Sequence, residues 1–138
     1  MATGAISATD TVTITTHQVL RGAKEFANKF VLVPKTTQSL VATDAIIAND
    51  ATLIRIGGSG GAVTLTSTPN IADGDPGQII ILVGTHDTNT VTVRDEASLG
   101  GCNLDLGGAN RTLGAGDYLV LCFNTDTGLW EEIVFKNN

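Results

Sequence analysis

The residues able to do chemistry are few, and their spacing does not suit catalysis. Two histidines occur, His17 in Thr15-Thr-His-Gln and His86 in the polar run Gly84-Thr-His-Asp-Thr-Asn89. Asp87 follows His86, but neighbours in an extended chain point to opposite sides, so this adjacency does not orient a catalytic imidazole. A Ser-His-Asp site needs three groups converging in space. The serines are Ser7, Ser39, Ser59, Ser67 and Ser98. Gly57-Gly-Ser-Gly-Gly61 spells a nucleophile elbow by letter, yet its flanks read strand, loop, strand rather than strand, turn, helix.

Carboxylates pair in sequence as Asp73/Asp75, Asp95/Glu96 and Glu131/Glu132. A glycosidase holds two carboxyls about 5–10 Å apart across a cleft. The rings that would stack a sugar there are scarce, with one Trp and one Tyr. Asp73-Gly-Asp75 begins like a calcium loop, but Pro76 and the missing distal Glu break that pattern. Cys102 and Cys122 have no CxxC or Cys/His spacing suited to zinc. Without a secretion signal they are expected to be free thiols. No Gly-Lys-Ser/Thr closes a Gly-rich stretch, so no phosphate loop is expected. These residues predict a protein that is not an enzyme and has no cofactor or metal.

The elements that would position such groups are short strands. The 138 residues are 42% hydrophobic, but only 4% aromatic and 16% charged, with 16 glycines. An average domain is roughly 25% charged. Thr, Val, Ile and Leu dominate, a β-rich composition. Residues 11–16, Thr-Val-Thr-Ile-Thr-Thr, alternate strictly. Residues 29–33 form an apolar run stopped by Pro34. Residues 52–56 and 62–66 flank the glycine run 57–61 and read as a hairpin. Further strands are expected at 78–83, 90–94 and 103–106. Residues 118–123 and 129–135 flank Asn124-Thr-Asp-Thr-Gly128, a five-residue hairpin turn. Residues 21–28 fit a single helical turn, weakened by Gly22; residues 38–49 fit a short helix or another strand. Asp73-Gly-Asp-Pro-Gly77 is a tight turn. The spacing predicts an all-β fold: one domain over 1–138, an antiparallel β-sandwich of jelly-roll type. Within it, 1–40 forms an N-terminal arm and 50–138 the Gly/Thr-rich sandwich. No internal repeat and no heptads are visible.

The net charge of −6, with eight Lys plus Arg, argues against a nucleic-acid partner. No apolar run approaches the roughly 18–20 residues of a membrane span, so no membrane partner is expected. The first ten residues lack the basic and apolar regions of a signal peptide. Residues 78–83 and 118–123 are apolar at both alternating positions. A sandwich buries one face of each sheet. The second face needs cover from the N-terminal segment, from loops or from another subunit. Ile79, Ile80, Ile81, Leu119, Leu121, Phe123 and Trp130 are the candidates for a subunit interface.

Several stretches resemble virion proteins of tailed bacteriophages. The first runs from Ala62 to Thr85 and includes Asp73-Gly-Asp-Pro-Gly-Gln-Ile-Ile-Ile-Leu-Val-Gly. Asn89-Thr-Val-Thr-Val-Arg-Asp continues it. Arg111-Thr-Leu-Gly-Ala-Gly-Asp-Tyr-Leu-Val-Leu and Gly128-Leu-Trp-Glu-Glu-Ile close it. Near the N-terminus, Val19-Leu-Arg-Gly-Ala-Lys-Glu-Phe26 is similar to a short element of phage fibre chains. The resemblance covers about two-thirds of the chain and implies a virion location, with synthesis in the host cytoplasm. It also implies a homotrimer. Taken as a complete chain that opens on Met1 and has no shaft repeat, the sequence is similar in length to capsid decoration, or cement, proteins. These clamp the major capsid protein. Arg21, Lys24, Lys29 and Lys35 would then face the capsid. The alternatives are a tail-fibre or needle knob, binding a receptor through 86–89 and 124–127, and a bacterial carbohydrate-binding β-sandwich module.

Overall fold

Apolar strands with no polar face must lie inside a sheet, and this requirement organises the molecule. A computed structural model describes residues 31–48 and 51–138. The strand expected at 11–16, the helical turn at 21–28, and Arg21, Lys24 and Lys29 lie outside the described residues.

The described chain is all-β, with two sheets forming a sandwich. The larger sheet has the order β1 (Gln38–Leu40), β2 (Leu53–Gly58), β4 (Ile79–Gly84), β8 (Tyr118–Asn124), β9 (Leu129–Lys136), β6 (Leu104–Asp105). The smaller has the order β3 (Val63–Thr64), β5 (Val91–Val93), β7 (Arg111–Leu113). Strand β4, apolar at both positions, takes a central place between β2 and β8. Of the segment 38–49, the described residues 38–48 contain β1 and the isolated bridge residue Ile46 and no helix. Residues 31–33 lie outside any strand, and Val31 and Val33 are exposed.

The pairing is mixed rather than purely antiparallel. Among the described residues, four of the seven ladders are parallel: β1–β2, β2–β4, β3–β5 and β6–β9. The hairpin expected across 57–61 does not form. Strand β2 stays in the larger sheet, and β3 crosses to the smaller one. The chain then returns to lay β4 beside β2 and β5 beside β3. Ile54 stands opposite Leu82 and Val63 opposite Val91, with the same offset in both sheets. A bridge between Ile46 and Ile71 links the same two turns of chain. The backbone is therefore coiled, although no repeat is visible in the residues.

Glycine makes the corners possible. A Cβ on Gly58 would lie 2.0 Å from the Gly61 carbonyl oxygen, and one on Gly84 would lie 2.0 Å from that of Gly114. Both glycines end strands of the larger sheet where the backbone turns back on itself. Corner amides bond to the neighbouring turn of chain: Ser59 N–H donates to Leu40 O (2.8 Å) and Gly58 N–H to Asn89 O (2.7 Å).

The hairpin at the other end matches its expectation. Strands β8 and β9 pair antiparallel around the 124–128 turn. Gly128 N–H donates to Asn124 O, and the Asn124 side chain accepts from Asp126 N–H.

Between the sheets lie Ile54, Ile56, Leu65, Ile80, Leu82, Val91, Val93, Leu113 and Leu119, all essentially without solvent contact. Trp130 closes one end; its ring lies 5.2 Å from Phe123, and its Nε1–H donates to Ala72 O (3.1 Å). Five of the expected interface residues, Ile80, Leu119, Leu121, Phe123 and Trp130, belong to this core. They are buried within this chain, Trp130 against Ala72, Gly74 and the Phe123 ring.

One carboxylate organises the polar end. Asp95 is 1% exposed. Its oxygens accept the N–H groups of Ala97, Leu106 and Gly108 at 2.9–3.0 Å. Burial pushes its pKa up, but those three donors and the Arg111 charge outweigh burial and hold it below the usual carboxylate range.

Candidate functional site

The outward positions of the larger sheet form a face with few charges. In β4 these are Ile79, Ile81 and Val83; in β8 they are Tyr118, Val120 and Cys122. Cross-strand register lines them up in rows. Leu53, Ile81, Val120 and Val134 form the middle row. Arg55, Val83, Tyr118 and Lys136 form the row on one side. Ile79, Cys122 and Glu131 form the row on the other. A bulge shifts the β8–β9 register between Val120 and Leu121 and leaves Ile133 as the extra residue. Ile133 is 57% exposed, Val134 50%, Ile79 47% and Tyr118 41%. A cavity of about 250 Å³, lined by Pro34, Leu53, Arg55, Val83 and Tyr118, opens on this face. Large contiguous apolar patches are uncommon on the surface of monomeric domains.

Ile79 and Ile81 are thus on the open face, and they are the only two of the seven expected interface residues there. Val83, Tyr118 and Val120 lie in the two-faced strands but not among the named candidates, and Leu53, Ile133 and Val134 were not expected. The signal that could have found them is the outward half of the same two-faced strands, together with the consecutive Ile133-Val134 pair. Lys35 is half-buried beside β2, its N–H donating to Leu53 O (3.2 Å).

His17 and Ser7 lie outside the described residues, and the chemical candidates among the described residues do not converge. Glu131 and Glu132 point to opposite faces. Glu131 accepts from Asn124 Nδ2 (2.7 Å), and Glu132 binds Arg111 Nε (2.7 Å). Arg111 also lies over the Phe135 ring, with its guanidinium carbon 5.4 Å from the centroid. A polar cavity of about 340 Å³ beside this pair includes Asp105 and Glu131 in its wall. His86 Nδ1 accepts the Thr88 N–H (3.1 Å), whereas Asp87 accepts the Ala115 N–H. The two neighbours are therefore engaged separately. Asp73 accepts from Asn103 Nδ2 (3.2 Å). Cys102 and Cys122 are both free; Cys102 Sγ donates to Arg94 O (3.0 Å), and Cys122 faces outward. Thr37, Ser39, Gly57, Gly58, Thr85, His86 and Asn89 line a smaller cleft of about 180 Å³. It contains part of one expected receptor loop but no Trp, Tyr or Phe to stack a sugar.

No family model and no curated protein matches the chain. Among solved structures it is similar to part of one described as "Structure of a chaperone-substrate complex", at 21% identity and a TM-score of 0.45. The match covers 73% of this chain and 18% of that one.

Proposed function

We propose that this chain is a non-enzymatic structural protein of a phage virion, acting as a homo-oligomer that decorates the head. The observation that carries the reading is the apolar outer face of the larger sheet, open around Ile79, Ile81, Val120 and Val134. Its middle row has no charge, and such a face gains free energy from being covered. The virion location rests on the resemblance of residues 62–85, 89–95, 111–121 and 128–133. In this role the protein works by linkage: contacts available only on the assembled shell stabilise that shell over its free subunits. Its partners are further copies of itself and the major capsid protein.

Two measurements test the reading. Light scattering behind a sizing column is expected to give a multiple of 14.2 kDa. Co-sedimentation with empty phage heads, assembled from major capsid protein alone, is expected to saturate. A monomer at every concentration, or no head binding, would overturn it. Alanine at Arg21, Lys24, Lys29 and Lys35 together is expected to weaken head binding.

A further inference from the structure

The charges at the edge of the apolar face are not scattered. Along β9 the outward side chains include Glu131, Val134 and Lys136. Glu131 is fixed by Asn124, and Lys136 Nζ lies 6.0 Å from the centroid of the outward Tyr118 ring. A carboxylate and an ammonium therefore flank Val134, the end of the middle row. The rest of the face follows the same polarity. Arg55 shares the row of Lys136, and Asp105 on β6 is the register partner of Glu131. Cations lie toward one end of the strands and carboxylates toward the other.

We infer that this face binds a second copy of the same chain, face to face, across a two-fold axis running along the row Leu53–Ile81–Val120–Val134. The inference rests on the oligomeric reading above and adds its symmetry. Such an axis reverses the strand direction, so β9 of one copy lies over β9 of the other. Lys136 of each copy then faces Glu131 of the other, twice, with Val134 between them. A two-fold contact requires a self-complementary surface, and the charges on β9 are complementary about Val134. Packed sheets lie roughly 10 Å apart, a gap that Lys and Glu side chains reaching from both sides can span. The trimer implied by the virion resemblance is a poorer fit to these charges. Three such faces turned toward an axis along the strands would gather Arg55 and Lys136 from every copy at one end. Like charges brought together in this way are unfavourable.

The test is the solution mass and self-association of the full chain and four variants, with circular dichroism confirming the fold of each. The parent is expected at twice 14.2 kDa, weakening with salt. Ile81→Asp is expected to be monomeric. Lys136→Glu alone and Glu131→Lys alone are each expected to weaken association about tenfold, and the double swap in one chain to recover most of that loss. A mass of three times 14.2 kDa, or charge variants that associate like the parent while Ile81→Asp does not, would overturn the two-fold arrangement and leave the oligomeric reading standing. A monomeric parent, or a folded Ile81→Asp that keeps the parent's mass, would overturn both.

Discussion

The coil formed by β1 to β5 and the hairpin formed by β8 and β9 solve the same problem differently. Both must pair every backbone group of strands that are buried on one side. The hairpin does so with its sequence neighbour, through a turn whose residues announce it: Asn124 accepts from Asp126, and Gly128 supplies a φ of +72°. The coil pairs strands separated by whole excursions through the second sheet, as when β2 meets β4 in parallel. Its corners depend on close backbone approach, not on turn chemistry. Local pairing can therefore tolerate change at its turn, whereas remote pairing cannot tolerate it where a corner closes on backbone, at Gly58 and Gly84.

The largest effect is expected at those corners. Gly84→Ala places a Cβ 2.0 Å from the Gly114 carbonyl oxygen. The Gly114–Asp117 turn is held against Gly84 by Asp117 O, which accepts the Gly84 N–H (3.1 Å), and by Gly116 N–H, which donates back (3.1 Å). It cannot move away cheaply. A loss of more than about 3 kcal/mol is expected in urea unfolding, and Gly58→Ala is expected to match it.

The same contrast explains what was legible in the residues. Strands at 52–56, 78–83, 90–94, 118–123 and 129–135 follow from alternation and apolar runs, as does the hairpin. The segment β7 was missed because Arg111-Thr-Leu113 is too short, between glycine turns, to show a period. The pairing of β2 with β4 was missed because nothing in either strand names a partner so far along the chain. The glycines at 57–61 looked like a hairpin tip, but flexibility serves a sheet-to-sheet corner equally well. The outer face was half legible. Two-faced strands show that a second surface needs cover, but not which parity points outward. The position of the second sheet decides that.

A middle-sized effect is expected where neither hairpin nor coil supplies the bonds. Asp95 ties the segment after β5 to the turn after β6 by accepting three backbone donors, from Ala97, Leu106 and Gly108. Asp95→Asn replaces one accepting oxygen with an amide that cannot accept, at an expected cost of about 2 kcal/mol near neutral pH. Because the folded-state pKa lies below the usual value, this stabilisation is complete above the ordinary carboxylate pKa of about 3.9. It is lost as the pH falls through the folded value. The gap in urea midpoint between parent and variant should therefore narrow from pH 7 toward pH 3. A constant gap would assign the loss to shape rather than charge.

The smallest effect separates strain from collision. Gly128 in the hairpin turn and Gly60 in the β2–β3 corner both have positive φ, +72° and +79°, and a Cβ on either would meet nothing within 4 Å. Alanine at each therefore adds only the strain of a left-handed backbone, about 1 kcal/mol. Both substitutions are expected to lower Tm by a similar few degrees, although one glycine lies in the local hairpin and the other in the remote coil. Gly60 is only two residues from Gly58, where the same substitution is expected to cost at least three times as much. If Gly60→Ala instead fell as far as Gly58→Ala, the whole corner would be a single rigid unit, and its sensitivity would come from the turn's conformation rather than from the approach of Gly61 to Gly58.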